Sequence, residues 1–168
     1  MNVLDLIEFN SFANIWYWVL VALTWARVTQ VPMGVPYDLV LNAGGSQTAA
    51  QDLIAITALQ VRRRRVPGRR RGPWIVGVWA FLLSLLAGLG FYYGSVFAFS
   101  ILLIVAPLAL ISGMSQKAAQ DIDEIGPDLE AIIKRLRRLK RWNQAIAMIA
   151  VFVTAVIGMV HNLANSTF

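Results

Sequence analysis

Four runs of apolar residues punctuate the chain: Phe12–Val28, Trp74–Phe91, Ser95–Ser112 and Gln144–Leu163. Each has the roughly 17–25 residues that an α-helix needs to cross a hydrocarbon core about 30 Å thick. Arg27 is the one charged residue inside them. It stands at the end of the first run, where a long side chain can reach the headgroups. Hydrocarbon offers nothing to backbone N–H and C=O groups, so the runs are predicted to be helices. Only Tyr92, Tyr93 and Gly94 separate the second run from the third. That spacing predicts an antiparallel hairpin.

The connections 29–73 and 113–143 follow a different pattern. In "QTAAQDLIAITALQVRRRR", Ala50, Leu53, Ile54, Ala58 and Val61 fall on one helical stripe, interrupted by the hydroxyl of Thr57. Gly44-Gly45 breaks the chain before it, and Ser46 is placed to cap it. Upstream, Pro32 and Pro36 favour an extended or turning path. The second connection opens with Asp121, Asp123 and Glu124, expected as a solvated loop, and breaks at Gly126-Pro127. A basic amphipathic helix is then predicted over Asp128 to Arg141, with Leu129, Ile132, Ile133, Leu136 and Leu139 on its apolar stripe. Acids begin this helix and bases end it, as the macrodipole favours. No breaker separates Arg141 from Gln144, so it is free to run on into the fourth span. The stripe has two places to hide, an anionic lipid surface or the neighbouring helix of the same chain. The tether between spans favours the second.

Charge orients this arrangement. The 168 residues are 58% hydrophobic with a mean hydropathy of +0.62, too apolar for an ordinary soluble domain. Of the 15 Lys and Arg residues, Arg62 to Arg65 and Arg69 to Arg71 lie in the first connection. Lys117, Lys134, Arg135, Arg137, Arg138, Lys140 and Arg141 lie in the second, and Arg27 faces the same side. By the positive-inside rule both connections are cytoplasmic and both termini face outward. The arginine block Arg62, Arg63, Arg64, Arg65, Arg69, Arg70, Arg71 leads straight into Trp74. It is therefore read as a topology signal in contact with anionic lipid on the cytoplasmic side. No reader module accompanies it, so nucleic acid is not the expected partner. Trp25, Trp74 and Trp142 on the inner side, with Phe12, Trp16, Tyr92 and Tyr93 on the outer, make the two aromatic belts of a membrane protein. The N-terminal flank carries Asp5 and Glu8 and no base, unlike a secretory signal peptide.

Candidate chemistry is sparse. Without cysteine and with one histidine, His161, the chain lacks the ligands of thiolate or polyhistidine metal sites. The acidic cluster lacks the spacing of a calcium loop. No ionisable group stands in mid-span to mark a transport path, and Pro107 is a bend that neighbouring helices can absorb. No catalytic, metal-binding or cofactor-binding residue is assigned, and an enzyme is not expected. What the spans offer is small residues at four-residue spacing: Ala80, Ser84 and Gly88, then Gly90 and Gly94, and in the last span Ala150, Thr154 and Gly158. Such stripes let helices approach closely, within one bundle, with another membrane protein or with a second copy.

"NSFANIWYWVLVAL", "MGVPYDLV" and "VFVTAVIGMVHNL", in this order, resemble segments of a family of small alphaproteobacterial inner-membrane proteins with four spans. Twelve arginines against three lysines suit a high-GC bacterial genome. Some members of that family are labelled as components of the Suf iron–sulfur assembly complex; no residue here supplies a ligand for a cluster. The expectation is an all-α membrane protein of the bacterial inner membrane. It has four transmembrane helices and two cytoplasmic helical segments in one domain over 1–168. Its expected role is a non-enzymatic accessory or scaffold subunit, with a small permease-type or channel subunit as the alternative.

Overall fold

The computed structural model describes residues 15–166, with backbone alone over 65–72 and 165–166. Among these residues every regular element is helical: α1 (Ile15–Gln30), a single 3₁₀ turn (Pro32–Gly34), α2 (Tyr37–Asn42), α3 (Gln47–Ala87), α4 (Val96–Ile125) and α5 (Leu129–Ser166). A π-helical turn, Gly88–Tyr92, closes α3. Three segments are long and apolar enough to cross a membrane: Pro73–Tyr92, Val96–Ile125 and Leu129–Ala164. They overlap the last three predicted runs, the second and third of these segments extending well beyond them. The first run falls in α1, described over Ile15–Gln30 as 16 residues, about 24 Å at 1.5 Å per residue; Phe12, Ala13 and Asn14 lie outside the described residues.

The largest departure from expectation is continuity. Spans and connecting helices are not separate pieces. α3 runs unbroken from Gln47 through the arginine block to Ala87, and α5 runs from Leu129 to Ser166, as the lack of a breaker after Arg141 allowed. The acidic residues Asp121, Asp123 and Glu124 likewise form the last turns of α4 and not a loop. At 38 and 30 residues, α5 and α4 measure about 57 and 45 Å, well beyond a hydrocarbon core of about 30 Å. Each therefore has an apolar part and a charged part, basic in α5 and mainly acidic in α4.

One register serves both halves of α5. Ile132, Leu136, Leu139, Asn143, Ala147, Ala150, Thr154 and Gly158 are all buried. Their spacing repeats every eleven residues: Ile132 to Asn143 to Thr154, Leu136 to Ala147 to Gly158, Leu139 to Ala150. An eleven-residue period drifts by only about 20° per repeat on a helix of 3.6 residues per turn, so the stripe stays on one side. α4 answers with Ser100, Ile111 and Ile122, and with Ile104 and Ser115, at the same eleven-residue interval, all buried.

Side-chain size changes along this seam. In the charged half Ile132, Leu136 and Leu139 pack with Leu53, Val61, Ala118 and Ile122, and with Met33, Val35 and Val40 from the segment after α1. Fully burying a large aliphatic side chain stabilises by about 1.5–3 kcal/mol, which decides the fate of the amphipathic stripe: it packs inside the chain. In the apolar half Ala147 and Ala150 meet Ile104, Ile111 and, from α1, Val21 and Trp25. Trp25, expected as an interfacial anchor, is thus a packed residue with 5% of its surface exposed. Tyr17 of α1 ties that helix to α4 by donating its hydroxyl proton to the Ser100 carbonyl at 3.2 Å.

Local signals set the ends. Asp128 caps α5, its Oδ1 accepting from the amides of Glu130 and Ala131 at 3.0 and 3.3 Å. Gly126, at φ +77°, ends α4 in a conformation that favours glycine. Arg135 then pairs with Asp121 across that turn. Ser46 holds the N-cap position of α3, but its hydroxyl bonds Thr48 at 2.8 Å instead of a backbone amide. The proline-rich segment gives the expected turn at Pro32 and also the short helix α2, which the sequence pattern did not reveal. Lys140 of α5 stands 3.2 Å over the Tyr37 ring and docks that helix.

Leu136→Ala empties a fully enclosed site of this core. It is expected to lower the unfolding free energy by about 2–5 kcal/mol. Ile125→Ala, at a position 42% exposed, is expected to cost far less. Denaturant or thermal unfolding of both variants in mild detergent checks the difference; equal losses would mean that the stripe does not form the core.

Candidate functional site

The arginine block lies within α3, so its members are spread along the helix axis instead of clustered at one depth. At 1.5 Å per residue Arg71 is about 4.5 Å from Trp74 along the axis, and Arg62 about 18 Å. Arg62 and Arg63 are exposed and Arg64 is half-buried. Burial pulls Arg64 below the usual arginine range, and its Nε has no hydrogen-bond partner among the described residues. The side chains of Arg65, Arg69, Arg70 and Arg71 lie outside the described residues. Trp74, at the head of the apolar half, is 79% exposed.

The small-residue stripes separate into different roles. Ala150, Thr154 and Gly158 are buried within this chain, and the Thr154 hydroxyl is returned to the Ala150 carbonyl at 2.8 Å. Ala80, Ser84 and Gly88 are exposed, and a Cβ added at Gly88 would meet nothing within 4 Å. Gly90 is where α3 and α4 come together: a Cβ there would stand 3.2 Å from the Cα and Cβ of Phe99. Phe91 closes edge-on over the Phe99 ring, with centroids 5.1 Å apart. Gly94 forms the turn itself, at φ +66°, and a Cβ there would meet nothing within 4 Å in this chain. Tyr92 and Tyr93 beside it, and Trp16 on α1, are all largely exposed; Phe12 lies outside the described residues.

Two concave features accompany these stripes. One is a groove of about 490 Å³ between α3 and α4, lined by Trp79, Ala80 and Leu83 on one side and Ala109, Ser112, Gly113, Gln116 and Gln120 on the other. The other is a cleft of about 290 Å³ in the charged half, between α3 and the Gly126-Pro127 turn. Thr57 forms part of its wall. That residue is fully buried, yet its Oγ1 has no hydrogen-bond partner among the described residues. A buried helical threonine ordinarily returns its hydroxyl to the preceding turn, as Thr154 does to the Ala150 carbonyl at 2.8 Å. Sequence reasoning registered Thr57 only as a flaw in the stripe. It passed over Gln116 and Gln120 altogether, because two amides on a helix carry no pattern until a second helix faces them.

Among the described residues no group of three or more His, Cys, Asp or Glu side chains converges as a metal site would require. Of the acids on α4, Asp121 is engaged by Arg135. Compared with family models, curated proteins and solved structures, the chain matches none.

Thr57→Val keeps the shape of the side chain and removes the unpaired hydroxyl, whose desolvation costs about 1–3 kcal/mol. The variant is expected to be more stable than the parent by about 1 kcal/mol in denaturant unfolding. A loss of stability of that size would show instead that the hydroxyl is held by a partner.

Proposed function

We propose that the protein is a non-enzymatic accessory or scaffold subunit of a bacterial inner-membrane assembly. It crosses the bilayer four times, with α1 completing the fourth span, and both termini face outward. The charged halves of α3, α4 and α5 then form a small cytoplasmic body, and the Tyr-Tyr-Gly turn lies outside. Anionic lipid meets the inner end of the Pro73–Tyr92 span, where Arg69, Arg70 and Arg71 fall within two helical turns of Trp74.

One observation carries the scaffold reading. The cytoplasmic body has a core of its own and is joined to the membrane half by three unbroken helices. A unit of this kind holds a fixed surface beneath the bilayer without needing to catalyse anything. The span Pro73–Tyr92 supports the same view. It is almost wholly unburied by the rest of the chain, leaving a face for lipid, another membrane protein or a second copy. The permease or channel alternative has less behind it, since the described apolar halves present hydroxyls and no ionisable group as their interior polar residues.

Topology and assembly are tested separately. Reporters placed at Gly45 and Gly126 are expected to read cytoplasmic, and reporters at Gly94 and after Phe168 external; a cytoplasmic C-terminus rejects the proposed orientation. Gly158→Leu forces bulk into the buried α5 stripe and is expected to disrupt the bundle. Val156→Leu, at an exposed position, is expected to leave it intact. In mild detergent the parent protein is expected to retain a membrane subunit identifiable by mass spectrometry. Solute flux from the purified protein alone in liposomes would replace the scaffold reading with the carrier one.

A further inference from the structure

The two helices of the α3–α4 hairpin are close near the turn and stand apart further along. Near the turn a Cβ on Gly90 would stand 3.2 Å from the Cα and Cβ of Phe99, tighter than ordinary contact, whereas a Cβ on Gly113 would find nothing within 4 Å. Among the described residues α3 is next buried beyond the arginine block, at Val61, Thr57 and Leu53. Between these two contacts lies the groove of about 490 Å³. Counting equal rises away from the Gly90–Phe99 contact, Gln116 comes level with Pro73, and Gln120 comes level with Arg69. The groove therefore has an apolar end at Trp79, Leu83 and Ala109, and an amide-lined end at the depth of the arginine-rich turns.

We infer that this groove holds one anionic phospholipid of the inner leaflet. An acyl chain lies along the apolar end, and the phosphate sits at the amides of Gln116 and Gln120, beside the turns that carry Arg69 to Arg71. The inference rests on the reading of α3 and α4 as membrane spans with their charged ends inside. Three features select this occupant. The change from apolar to amide lining runs along the groove in the direction in which a lipid changes from tail to headgroup. Carboxamide N–H groups donate to phosphate oxygens, and a cationic helix turn supplies the opposite charge that an anionic headgroup needs. A second copy of the chain is disfavoured, because it would enter the membrane in the same orientation. Its own arginine turns would then stand at the same depth as these, like charge against like charge.

The test is native mass spectrometry of the full-length protein extracted in mild detergent, delipidated, and re-exposed to phosphatidylglycerol or phosphatidylcholine. The parent is expected to retain one phosphatidylglycerol and to prefer it over phosphatidylcholine. Gly113→Trp, which fills the groove, is expected to abolish that retention. Val78→Trp, on an exposed part of α3 outside the groove, is expected to preserve it. Replacing Arg69, Arg70 and Arg71 by Gln one at a time is expected to weaken retention by about fivefold each, the effect of one basic residue beside an anionic surface. Thermal unfolding of each variant distinguishes a filled groove from a disrupted fold. Equal retention of the two lipids, retention undiminished in Gly113→Trp, or a second protein chain held in place of lipid would each overturn the proposal. Reporters at Gly94 and Gly126 that read the same side would sink the membrane reading itself; opposite sides with no lipid retained would sink this inference alone.

Discussion

An unbroken α-helix has one register, and α5 is unbroken from Leu129 to Ser166. Whichever face it buries in its basic half fixes the face it must bury in its apolar half. The buried stripe from Ile132 to Gly158 meets that constraint with an eleven-residue repeat. α4 meets it with the same repeat, so the two helices form one seam along both environments. The bundle is arranged around this seam. α1 leans on its apolar half through Trp25 and Val21, and the Met33–Val40 segment closes its charged half.

The residues along the seam differ because the driving force differs. In water, burying Ile132, Leu136 and Leu139 is favourable in itself, and large side chains give the most. Among lipid chains apolar burial gains nothing over lipid contact, so attraction comes from close approach and from interhelical hydrogen bonds. There the seam narrows to Ala147, Ala150, Thr154 and Gly158, and Tyr17 reaches across to the Ser100 carbonyl. Asn143 marks the changeover. It is buried, with an Oδ1 that has no hydrogen-bond partner among the described residues.

α3 obeys the same continuity with a different result. It is pinned near its C-terminal end by the tight turn at Gly90 and Phe99, and towards its N-terminal end by Leu53 and Val61. A helix held at two distant points need not follow its neighbour between them. The interval left open is the groove beside Gly113 and Gln116. Its depth underlies the proposed lipid occupant: the same stretch of α3 changes there from aromatic and aliphatic residues to arginines. The proposed scaffold role draws on the same stiffness, since continuous helices transmit the position of the membrane half directly to the body beneath it.

Much of this was legible in the residues alone. The last three spans, the helix from Gln47, the stop at Gly126 and the basic helix after it follow from hydropathy and local chemistry, which act over a few residues and need no partner. The stripe Leu129, Ile132, Ile133, Leu136 and Leu139 was also readable, because amphipathic periodicity is a property of one helix. Its destination was not. That depended on which helix lay opposite, and the same holds for Trp25, whose ring reads as an interfacial anchor until Ile104 and Ile111 enclose it. The Ala150–Thr154–Gly158 stripe was visible as a packing surface, but only the fold showed that this chain occupies it. The equally visible Ala80–Ser84–Gly88 stripe stays exposed. Identical spacing leads to opposite outcomes because small residues permit close approach without compelling it. What approaches is decided by the long-range geometry of the whole bundle.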